Sequence, residues 1–112
     1  MNECAREIAW AGGKHVFNLN DKSALLRMQV MGLRGHNGNT PAACLSRFEN
    51  SAYSIDDVER IIEWGLIGGG TKPSDARTLV AEHVREKPLA ANAVIAFEVL
   101  AALFIGAANA NA

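Results

Sequence analysis

Chemistry in this chain would have to come from three histidines, two cysteines, a crowded acidic stretch and one glycine run. His15, His36 and His83 have no metal-ligand spacing to one another or to a cysteine. One exposed and two partly packed imidazoles are expected of them. Cys4 and Cys44 form no CxxC pair, so they read as free thiols of a reducing compartment. Asp56, Asp57, Glu59 and Glu63 fall at the start of an expected helix and along its outer face. There the helix dipole and solvent account for them without catalysis. The run Gly65-Leu66-Ile67-Gly68-Gly69-Gly70-Thr71-Lys72 imitates a phosphate loop, which requires GxxxxGK followed by Ser or Thr. Here Thr71 precedes Lys72, Pro73 follows, and the run comes after a helix instead of a strand. A flexible interhelical connection is the better reading. No serine, cysteine or threonine stands in a nucleophile elbow, and no acid, base and stabilising donor are assembled. The chain is therefore expected to be no enzyme, with no catalytic residues, no metal and no cofactor.

These residues must be placed by one small domain spanning residues 1–112. A chain of 112 residues buries roughly two-thirds of the surface its unfolded form exposes and needs neither disulfide nor metal to fold. Eleven basic residues nearly balance twelve acidic ones, so the basic excess of a nucleic-acid surface is missing. From Pro88 to Ala108 the chain is almost wholly apolar, long enough to suggest a membrane span. Asn92 and Glu98 lie inside it and six residues between Ala90 and Ala102 are alanine. A carboxylate near mid-bilayer costs roughly 2.5–3.5 kcal/mol, and alanine repays little of that. A buried or partner-binding helix, no membrane contact and a cytoplasmic location are expected. Met1 to Arg6 are polar and mixed in charge, unlike a signal peptide.

The expected architecture is α+β, an N-terminal β-hairpin packed against a bundle of four to five α-helices. Residues 5–19 alternate about a Gly-Gly turn, and one face would bury Ile8, Trp10, Phe17 and Leu19. A lone hairpin is marginal in water, so the helical part, residues 21–106, must cover that face. The first helix is capped by Asn20 or Asp21 and runs to about Leu33, with Leu26, Val30 and Leu33 as its stripe and Leu25 and Met28 beside them. Thr40-Pro41 opens a second helix bearing Cys44, Leu45 and Phe48. Ser54 caps the third, with Asp57 near the capping-box position. Val58, Ile61, Ile62 and Gly65 form its buried stripe. Pro73 and Ser74-Asp75 begin a fourth, with Ala76, Leu79, Val80, His83 and Val84 on one face. The fifth starts at Pro88. It carries Leu89, Ala93, Phe97, Leu100 and Phe104 on one side and Ile95, Val99, Ala102 and Ile105 on another. Trp10 and Trp64 are expected to anchor the core or a groove. Residues 107–112 are expected to form a flexible tail.

In this order and pattern the chain resembles the tail assembly chaperone family of gene transfer agents and related phages. The resemblance covers residues 5–106. It is carried by Arg6-Glu7-Ile8, Val16-Phe17-Asn18-Leu19, the Leu-rich first helix and Ser54-Ile55-Asp56-Asp57-Val58. Ile61-Ile62-Glu63-Trp64-Gly65-Leu66, Gly68-Gly69-Gly70 and the Ala-rich last helix complete it. The resemblance implies a role in building a phage-like tail: binding the tape-measure protein, keeping its long helix in solution and helping to recruit tail-tube protein. It brings no catalytic residues. Tape-measure protein is thus the expected partner, with tail-tube protein and a second copy of the chain as further candidates. A chaperone of this kind needs an apolar groove or helix face, and Phe97, Leu100 and Phe104 on the fifth helix are the candidate contacts. Two other classes stay open. One is an oligomerising scaffold or regulator. The other is a DNA-binding regulator using residues 74–86, where Arg77 and Arg85 are offset by Asp75, Glu82 and Glu86, and phosphate contacts drive DNA affinity.

Overall fold

The computed structural model describes residues 2–106, in which two strands precede five helices, an α+β fold. The expected tail at 107–112 lies outside the described residues. β1 (Arg6–Trp10) and β2 (Gly13–Phe17) pair antiparallel, with Arg6 opposite Phe17 and Trp10 opposite Gly13. The turn therefore consists of Ala11 and Gly12, with φ of 53° and 77°, and Gly13 already belongs to β2. A two-residue turn of the mirror-image type I′ demands positive φ at both positions, and Ala11 takes one of them despite its Cβ. Ile8, Trp10, Phe17 and, past the strand, Leu19 are buried as the alternation predicts.

The helices are α1 (Lys22–Met31), α2 (Pro41–Glu49), α3 (Ile55–Gly68), α4 (Pro73–His83) and α5 (Leu89–Ile105). Their starts are written in the sequence. Asp21 accepts from the Ser23 N–H, and Thr40 accepts from the Ala43 N–H. Ser54 and Asp57 complete a reciprocal capping box, satisfying two N–H groups that would otherwise lack acceptors. α3 is the hub. It buries Val58, Ile61, Ile62, Trp64 and Leu66 and packs against α1, α4, α5 and β2. α2 and β1 lie against α5.

α1 departs from expectation. It ends at Met31, and it turns Ala24 and Met28 inward while Leu26 and Val30 stay exposed. The fully buried Ala24 lets a short helix approach α3 closely, which selects this face over the bulkier one. Leu33 is buried beyond the helix end, its N–H bonded to the Asn39 carbonyl at 3.0 Å.

The glycine run is a seat, not a flexible connection. The Thr71 N–H bonds to Leu66 O (2.9 Å) and the Gly70 N–H to Ile67 O (3.1 Å). With Gly70 at φ +111°, this is the Schellman closure of α3. The chain leaving β2 crosses directly over it. A Cβ on Gly68 would lie 1.7 Å from Asn18 O, and one on Gly69 1.9 Å from Val16 O. Asn18 N–H donates to Gly65 O at 2.9 Å, fastening the crossing.

Candidate functional site

The acidic stretch and its surroundings come first. Asp57 is fully buried, and Arg47, with 1% of its surface exposed, lies against it. Arg47 Nε donates to Asp57 Oδ2 (2.9 Å) and Nη2 to Oδ1 (2.7 Å). Nη1 donates to Asn37 Oδ1 (2.7 Å) and Gly38 O (2.8 Å), and Nη2 also reaches Leu33 O. All five guanidinium N–H groups are thus used. A Cβ on Gly35 would fall 2.2 Å from Arg47 Cζ, so the loop can lie over the guanidinium only because that residue has no side chain. Burial opposes the charge on Asp57. The Arg47 hydrogen bonds and the Ser54 N–H outweigh it and hold the carboxyl below its ordinary value. The centre joins α2, the loop before it and the start of α3. It has a structural cause for every contact and opens on no reacting group.

Nearby, burial and then the Asp57 charge push the Cys44 thiol up to about 12, against the pull of Arg47. A thiol kept protonated is a poor nucleophile. Glu59 and Glu63 do not line an outer face. Glu59 pairs with Arg85 at 3.3 Å. Burial holds the Glu63 carboxyl above its ordinary value, with Arg77, Arg85 and Arg27 offsetting part of the rise. His36 is exposed, and His15 and His83 are half-buried against the Trp10 ring, at 5.4 and 5.8 Å between centroids. Trp10 Nε1 donates to Asn92 Oδ1 (2.8 Å), and Asn92 Nδ2 to His83 O (3.0 Å). Among the described residues no three His, Cys, Asp or Glu gather as a metal would require.

What remains is apolar surface. α5 packs Ala93, Ala96, Val99 and Leu100 into the core. Leu100 is 0% exposed, so this candidate contact is enclosed by the fold and cannot meet a partner. Phe97 (39% exposed) and Phe104 (46%) do reach the surface, joined by Val94 (65%) and Ile105 (57%). Spacings of three, seven and eleven residues (94 to 97, 97 to 104, 94 to 105) put all four on one side of a helix. Glu98 is the one charged group in α5. Phe97 continues inward through Phe48 (6.3 Å between rings), which stacks on Tyr53 at 5.0 Å. An all-round apolar helix gives periodicity nothing to choose between, which is why Leu100 turns inward and Val94, given no role by sequence, reaches the surface. A second apolar surface, missed by sequence reasoning, lies at the end of α1. Leu25, Met28, Val30 and Met31 with Arg34 and Pro41 line an open groove there.

No helix among the described residues is long and apolar enough to cross a membrane. No curated protein and no solved structure matches the chain. A family model described as phage tail tube protein, GTA-gp10, matches residues 4–106, nearly the span over which the sequence pattern is similar to gene transfer agent proteins. The chain therefore belongs to that family, one of the tails of phages and gene transfer agents.

Proposed function

We propose that the chain is a non-enzymatic tail assembly chaperone that binds tape-measure protein while a phage-like tail is built. The observation that carries this reading is the outward stripe of Val94, Phe97, Phe104 and Ile105 on α5. A tape-measure segment would be a long helix with apolar stripes, and laying one along α5 would remove both surfaces from water. The stripe is interrupted by a single charge, Glu98, so a helix laid along it loses little hydration of charged groups. Such a protein acts in the cytoplasm, before the particle is complete, and needs no cofactor and no nucleic acid.

The experiment is co-expression with the tape-measure protein of the same element and capture through a tag on either chain. Phe104→Asp should weaken capture more than tenfold while leaving the chain folded. Undiminished capture by that variant removes α5 from the account, and no capture by the wild type removes the chaperone. The family description favours a second reading, in which the chain is itself built into the tail tube. Purified particles separate the two: a tube subunit is abundant in them and a chaperone is absent.

A further inference from the structure

α5 ends without a cation of its own. No lysine or arginine follows Lys87 in the sequence, and the last turn of α5 holds no basic residue. The final carbonyls of a helix lack intrahelical donors and carry partial negative charge. Here they are served from the far end of the chain. Arg6 stands opposite Phe17, on the same hairpin face as the buried Ile8 and Trp10. Its Nη2 donates to Gly106 O, and its Nη1 to Glu3 O (2.8 Å) and Ala5 O (2.9 Å). The guanidinium thus ties the segment before β1 to the turn after α5. Beside it, buried Cys4 places Sγ 3.8 Å from Leu103 O. Asn2 braces the segment, accepting from Cys4 N–H (2.9 Å) and donating to Asn20 O (2.7 Å). The same device serves α1, whose last turn is also free of basic residues: Arg60 Nη1 donates to Gly32 O at 2.7 Å.

The turn clasped by Arg6 carries Phe104 and Ile105, half of the outward stripe. We infer that Arg6 is a positioning residue for partner binding, holding the last turn of α5 so that these two side chains are presented in place. The role rests on the proposed function. A frayed turn would have to be ordered on docking, at an entropic cost that a clasped turn has already met on folding.

Amide hydrogen exchange and tape-measure capture, measured on Arg6→Ala and Arg6→Lys in the full chain, test it. Arg6→Ala should speed exchange at residues 103–106 about tenfold, with α3 amides unchanged. It should weaken capture several-fold, and Arg6→Lys should restore part of both. In a Phe104→Ala/Ile105→Ala background the further loss on Arg6→Ala should vanish, which a merely structural role would not produce. Unchanged exchange overturns the clasp. Faster exchange with undiminished capture overturns the positioning role and leaves the chaperone standing. Failure of the wild type to bind overturns the chaperone and this role together.

Discussion

The Arg47–Asp57 centre and the outer face of α5 break the same rule in opposite directions. One hides full charges and the other exposes large apolar side chains. The charged pair finds every partner it needs inside the chain: all five guanidinium donors are used, and the carboxylate is shared with the start of α3. Val94, Phe97, Phe104 and Ile105 find no such cover. An internal compensation marks a device for folding. Its lack, on an ordered helix, is what the proposed docking of a partner on α5 would supply.

The contrast predicts a descending series of effects. Arg47→Ala leaves Asp57 buried and unpaired and should cost about 3–5 kcal/mol in urea unfolding. A loss under 1 kcal/mol would mean that the centre is not closed to water. Gly68→Ala presses a methyl group into the Asn18 carbonyl. It should cost about 3 kcal/mol by the same measurement, and its hairpin amides should lose exchange protection.

The pH dependence sharpens the internal side. Asp57 titrates below its ordinary value in the folded chain and near 4 when unfolded. The unfolded state then binds more protons as pH falls below about 5. The Asp57 contribution is complete above that range and is lost as pH falls through the folded value. Asp57→Asn should flatten this acid limb of the stability curve. At the other end, Cys44 ionises at about 12 when folded and near 8.5 when unfolded. It should resist thiol reagents at pH 8 until the chain is denatured. The smallest stability effect belongs to the outer side: Phe104→Asp, which gives up a half-buried ring and sets a carboxylate at the negative end of α5, should cost roughly 1–2 kcal/mol while abolishing most tape-measure capture.

Much of the frame was legible. Thr40 and Ser54 with Asp57 fix helix starts through local hydrogen bonds, and Pro41 and Pro73 through a preset φ, all of which depend on neighbours in sequence alone. The stripe of α3 and the alternation of the strands were readable for the same reason. Arg47 was not: nothing about an arginine between Ser46 and Phe48 signals burial, and only the loop at 33–38 and Asp57, brought in by tertiary packing, make it tolerable. The α1 face and the role of the glycine run were missed on similar grounds. Ala24 is chosen for its closeness to α3, and Gly68 and Gly69 are chosen by a strand fifty residues away. On α5 the candidate surface was half legible, Phe97 and Phe104 reaching solvent and Leu100 not.

That strand crossing also sets a timetable for synthesis. The hairpin emerges first and can close in microseconds, yet Gly68 and Gly69, on which it rests, follow some fifty residues later. At about 5–20 residues per second the newborn strands wait roughly 3–10 s for their platform. During that interval Trp10 and Phe17 lack the helices that bury them in the finished fold.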